Sequence, residues 1–120
     1  MAWNFMKVRK WEGAAVPDTV AAAVVIGGLL DATAFEEGVT RVQIQNKSAA
    51  ILYLWSGHAA ATAAAAQTAA RASNIREWLQ VPENQIVIFD WDVVNLDKLC
   101  CCNTSGSATE ALVIQEGMVH

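Results

Sequence analysis

Three cysteines stand side by side at Cys100-Cys101-Cys102, and they are all the cysteine the chain contains. Adjacent thiols raise three chemistries: a metal centre, a redox pair or a nucleophile. The surrounding stretch, "LCCCNTSGS", reads as an apolar strand running into a turn. Side chains alternate along a strand, so Cys100 and Cys102 face one side and Cys101 the other. Consecutive thiols of that kind do not converge on one tetrahedral ion, which needs ligands spaced along the chain. No Cys-x-x-Cys spacing is present to lower a thiol pKa. The histidines, His58 and His120, are remote in sequence. The reading is therefore that of three small hydrophobic residues packed in a strand.

The other reactive residue types group no better. Glu36-Glu37 and the pair Asp90 and Asp92 are the candidate carboxylates. The second pair shares one face of a strand and could meet a hard cation, yet no third ligand accompanies it. Ser56-Gly57-His58 lacks an acidic partner and the strand–turn–helix setting of a nucleophile elbow. Gly27-Gly28 has no lysine after it, which excludes a phosphate-binding loop of that kind. Five tryptophans (3, 11, 55, 78 and 91) offer flat apolar area for sugars, for the core or for a subunit contact. No catalytic set, metal site or cofactor site is expected.

The elements that would hold these residues are mostly short strands. Thr40–Asn46, "TRVQIQN", alternates, with Val42 and Ile44 on one face and Arg41, Gln43 and Gln45 on the other. Asn46-Lys47-Ser48 reads as a turn that makes a hairpin with Ile51–Trp55. Gln85–Trp91, "QIVIFDW", reads as a buried strand. Leu96–Cys102 and Ala111–Gln115 read as a second hairpin across Asn103–Ser107. Val20–Leu30 reads as a further buried strand, and Asp31–Gly38 as a loop. His58–Ser73 carries ten alanines, which favours a short helix by propensity, although large apolar residues to dock it are almost absent. Ile75–Val81 is either a short strand segment or, with Asn74 and Glu77, a capped helix.

Residues 1–19 mix aromatic and basic groups, and Trp3, Phe5, Lys7, Arg9 and Trp11 fall on one side of an extended chain. That segment is either a docking arm or an edge strand of the same sheet. The fold class expected is mainly β: an antiparallel, jelly-roll-like β-sandwich over residues 20–120, an N-terminal arm over 1–19 and a short Ala-rich helix. Val42, Ile44, Ile86, Ile88, Leu112 and Ile114 are the expected core. Trp3, Phe5 and Trp11 are the expected anchors on a neighbouring subunit.

Composition narrows the function classes. The 120 residues are 54% hydrophobic and 17% charged, against a usual charged share of about a quarter. A small domain so short of charge needs neighbours to cover its apolar surface, so a homo-oligomer is expected. The net charge of −4 argues against a protein that holds duplex nucleic acid, which needs a basic face. Lys7, Arg9 and Lys10 followed by Val20–Leu30 imitate a signal peptide, but Glu12, Pro17 and Asp18 divide the two parts. The apolar run is also about half of the ~20 residues that a membrane helix needs. A soluble chain, made in a cytoplasm and without membrane partners, is expected.

Taken in order, "VTRVQIQNKSAAILYLWSG", "WLQVPENQIVIFDW" and "NLDKLCCCNTSGSATEALVIQEG" resemble the small β-sandwich virion proteins of tailed bacteriophages. Capsid decoration, or cement, proteins are the most similar group. The resemblance lies in the order of strands and turns over residues 39–117, and the alanine run and aromatic N-terminus depart from it. It implies a structural role on the outer capsid surface, bridging major capsid subunits, often as a trimer and with no active site. The alternatives in the same frame are a tail, collar or baseplate component and a carbohydrate-binding fibre domain using Trp55 or Trp78.

Overall fold

The computed structural model describes residues 5–30, 38–57, 60–90 and 96–119, with side chains except those of 5–9, 118 and 119. Eight strands and one helix follow in order. They are β1 (Phe5–Val16), β2 (Val24–Val25), β3 (Val39–Asn46), β4 (Leu52–Ser56), α1 (Ala63–Arg71), β5 (Leu79–Val81), β6 (Ile86–Phe89), β7 (Leu99–Cys102) and β8 (Thr109–Val119). Short 3₁₀ turns cover Val20–Ala22, Ile26–Leu29 and Ile75–Glu77.

The pairings have one rule. β4 pairs with β5, β3 with β6, β2 with β7 and β1 with β8, all antiparallel. A long ribbon of paired strands, folded at the α1 connection, is thus wound around a common interior. Winding adds the β3–β8 and β4–β7 pairs and closes two four-stranded sheets, ordered β1-β8-β3-β6 and β2-β7-β4-β5. This is jelly-roll topology. The mainly β sandwich that the sequence indicates is present, and the single helix falls within the alanine run.

The expected hairpins are not. β3 and β4 lie in different sheets, as do β7 and β8, so both turns are arches that carry the chain across the sandwich. Two buried asparagines build these crossings. Asn46 Nδ2 donates to Ala50 O (2.7 Å) and Val81 O (2.8 Å), while its Oδ1 accepts from Ser48 N (2.9 Å). Asn103 Nδ2 donates to Val16 O (3.1 Å), Pro17 O (2.9 Å) and Thr109 Oγ1 (3.1 Å). Its Oδ1 accepts from Ser105 N (2.8 Å) and Ser105 Oγ (2.7 Å). A side chain that mimics a backbone turn in this way is the ordinary use of asparagine. Here it ties the arch to main-chain carbonyls of neighbouring strands, and Pro17 O also accepts from Asn103 N (2.7 Å).

Between the sheets lie Val16, Ile26, Val42, Ile44, Leu52, Leu54, Leu99, Cys101 and Val113, all but excluded from water. Val42 and Ile44 are core, as the alternation in "TRVQIQN" indicates. Ile86, Ile88, Leu112 and Ile114 are not. Register sets their phase: Val87 and Phe89 lie opposite Ile44 and Val42, which turns Ile86 and Ile88 outward. Both are about half exposed, at 50% and 52%. On β8 the inward residues are Ala111, Val113 and Gln115, and Leu112 and Ile114 take the outer face. Both parities of "QIVIF" and "ALVI" are apolar, so alternation alone leaves the phase open. β6 is an edge strand with one open face, which corrects the buried-strand reading of Gln85–Trp91.

Of the two readings of the N-terminal segment, residues 5–16 take the edge strand: β1 pairs along its length with β8 at the edge of the first sheet. A register shift between Val8 and Lys10 interrupts the odd-numbered alternation expected over residues 3–11. Val20–Leu30 contributes only Val24 and Val25 to a strand, because Thr19 caps a 3₁₀ turn that takes up the alanines.

The helix explains how the alanine run packs. Thr62 Oγ1 accepts from Ala65 N (3.1 Å), and Ala66 and Ala70, one turn apart, are buried. They lie on the outer face of the second sheet with Ala23, Trp78, Cys100 and Cys102. Small side chains let the helix approach closely, and Gly57 completes the fit. A Cβ there would stand 2.5 Å from Ala66 Cβ. Gly57→Ala is expected to destabilise the domain by about 1–3 kcal/mol through overpacking. A drop of several degrees in the melting temperature would show it.

Candidate functional site

The cysteines occupy two separate layers. Cys101 belongs to the interior between the sheets, and Cys100 and Cys102 face α1. All three are free and buried. Burial pushes the thiols of Cys100 and Cys102 up from about 9 to about 11, and that of Cys101 higher still. A raised pKa keeps the reactive thiolate scarce. Little labelling by a thiol reagent is therefore expected for the native protein at pH 8, with three thiols appearing in denaturant. The sign for stability follows. Above about pH 9 the unfolded thiols lose protons that the folded ones retain. Stability that is complete below pH 9 is then expected to fall toward about pH 11.

Other sequence candidates are equally ordinary. Asp90 accepts from Arg41 Nε at 2.6 Å, and Asp92, Glu36, Glu37 and His58 lie outside the described residues. Among the described residues no three His, Cys, Asp or Glu side chains gather as a metal site. Trp78 is 4% exposed, its Nε1 donates to Ser73 Oγ (2.7 Å), and its ring tilts against Trp55 with centroids 6.2 Å apart. These two rings pack α1 onto its sheet, so the tryptophans expected of a glycan platform are committed to the fold.

What remains is a surface. The second sheet is covered on one face by the first sheet and on the other by α1, and β7 is buried at every residue. Among the described residues no element covers the outer face of the first sheet. Its register lines up Trp11, Ile114, Gln43 and Ile88 in one row across β1, β8, β3 and β6. The adjacent row is Gly13, Leu112, Gln45 and Ile86. Trp11 is 68% exposed at the β1 edge. One end of the strip is polar: Arg41 pairs with Asp90, and Gln43 Nε2 donates to Glu116 Oε1. Exposed Glu110 and Lys47 stand toward the other end. Apolar residues of β1, β8 and β6, interrupted on β3 by Gln43 and Gln45 and bounded by charged groups, make a mixed face of the composition that protein contacts use.

Of the expected anchors, Trp11 lies on this face. Trp3 is outside the described residues, as is the side chain of Phe5. Ile86, Ile88, Leu112 and Ile114, expected inside, belong to the same face. The signal for them is present in the chain: β6 and β8 are apolar at both parities, more than a single buried face requires. Asn46 and Asn103 are the residues whose structural role the turn reading missed.

Over the described residues these observations define an eight-stranded jelly roll whose first sheet has a largely apolar outer face that no described element covers. Comparison with protein-family models, curated proteins and solved structures finds no match for the chain. Jelly rolls serve capsids, lectins and cupins alike, so function rests on the face and not on the topology.

Proposed function

We propose that the chain is a virion structural protein of a tailed bacteriophage, a decoration protein that binds the outer capsid shell and bridges major capsid subunits. The observation that carries this reading is the uncovered face of the first sheet, led by Trp11. A sheet face bearing Trp11, Leu112, Ile114, Ile86 and Ile88 is costly to leave in water, at about 25 cal/mol for each Å². A protein present in many copies on a lattice covers such a face by binding. The low charge content suits contact with protein, and the net charge of −4 suits the side of a shell away from the genome. Among the described residues the three thiols are buried and Asp90 is paired with Arg41, which supports a binding role.

Cosedimentation tests this directly. Purified chain mixed with heads that lack it is expected to pellet with them and to saturate at a fixed ratio to the major capsid protein. Pelleting with isolated tails instead of heads would place it at the tail, collar or baseplate. Recovery in the supernatant with both would refute a virion role.

A further inference from the structure

We propose that β6 is a pairing edge for a second copy of this chain, which joins two first sheets into one continuous eight-stranded sheet. β6 has β3 on one side and no strand on the other among the described residues. Its four residues, Ile86-Val87-Ile88-Phe89, carry none of the charges, prolines or bulges with which free edges are normally blunted. Beside it runs a groove of about 370 Å³ between the two sheets, walled by Leu79, Val81, Pro82, Ile86 and Val87. Leu79 is 47% exposed there.

The occupant follows from symmetry, charge and area. An antiparallel partner places residues of the same face opposite one another. Paired with its own copy about Val87, the strand sets Ile86 opposite Ile88 at two equivalent places and Val87 opposite Val87, while Phe89 meets Gln85 at each end. Between Leu79 and Phe89 the one charged residue is Glu83, in the turn, so the flank neither repels its copy nor attracts a charged partner. A sandwich flank about 20 Å deep and about 20 Å long buries roughly 800 Å² over both copies, the size of a weak, reversible contact. The contact closes on a two-fold axis, giving a pair and not a ring. That axis stands perpendicular to the sheet, so both Trp11 faces point the same way. The pairing goes beyond the shell reading and does not depend on it. Only its use as a two-legged platform on a lattice rests on that reading.

Sedimentation of the purified chain across a concentration series, at low salt and without any capsid, tests the pairing. Twice the chain mass is expected, with dissociation in the micromolar range. The double variant Ile86→Lys/Ile88→Lys sets like charges opposite one another at both places and is expected to weaken the dimer at least tenfold. Ile86→Lys/Ile88→Glu sets opposite charges at the same places and is expected to recover most of that loss. Circular dichroism of both variants matching the parent confirms that these exposed positions leave the fold intact. A parent that stays monomeric, a three-copy mass, or two double variants that behave alike would overturn the proposal.

Discussion

Asn103→Asp is expected to cost the domain about 3–5 kcal/mol at neutral pH, a large share of the 5–15 kcal/mol that holds a domain of this kind together. The native amide gives its hydrogens to Val16 O, Pro17 O and Thr109 Oγ1 and is fully buried. A carboxylate has no hydrogen to give. It would face two carbonyl oxygens as an anion out of water; Val16 O would lose its amide donor, and Pro17 O would keep only the backbone N–H of residue 103. Burial and those acceptors also favour the protonated acid, so the folded pKa of the new group rises above its unfolded value near 4. The stability missing at pH 7 is then present below the unfolded pKa and lost as pH rises through the folded one. Denaturant unfolding at pH 7 and pH 4.5 checks both points. The variant should lie far below the parent at pH 7 and close part of the gap at pH 4.5. Equal midpoints at pH 7 would remove Asn103 as the tie between β7, β8 and the end of β1.

Asn103 also marks where the sequence is legible and where it is not. Alternation in "TRVQIQN" correctly separates Val42 and Ile44 from Gln43 and Gln45, because only one parity there is apolar. The same test cannot phase "QIVIF" or "ALVI", and the tie is broken by register with β3, a contact between residues more than forty positions apart. Likewise a turn reads the same in sequence whether the chain doubles back within a sheet or crosses to another. Asx geometry at Asn46 and Asn103 serves both, so local chemistry gave the turns and winding of the ribbon decided their sense. Propensity found the helix in the alanine run. Its docking depends on Ala23, some forty residues away, and on Gly57 and Trp78 either side of the helix, whose contacts are visible only in the fold. The cysteines were legible from alternation alone: Cys101 faces one way, Cys100 and Cys102 the other. The candidate face was half legible. Trp11 stands out as an aromatic in a polar segment, whereas the isoleucines beside it resemble core until their strand is phased.

The second large effect is on binding. Trp11→Ala is expected to weaken attachment to the shell by about 30- to 1,000-fold, the range for truncating an anchoring tryptophan worth about 2–4 kcal/mol. Its stability should stay within about 0.5 kcal/mol of the parent, because the ring is mostly in water in the free protein. Trp78→Ala is the opposite control. That ring is buried beneath α1, so about 3–5 kcal/mol of stability should disappear. Binding per folded molecule should hardly change. Cosedimentation and denaturant unfolding of the two variants separate a contact residue from a packing residue. Equal binding by Trp11→Ala and the parent would move the shell contact off this face.

Hydroxyl-radical footprinting of the chain, free and bound to heads, asks whether the uncovered sheet is the surface that becomes covered. Trp11, Leu112 and Ile114 should lose most of their labelling on binding, while Thr104 and Ser107 in the β7–β8 arch keep theirs. Unchanged labelling of Trp11 on chain shown to be bound would mean that another surface carries the attachment.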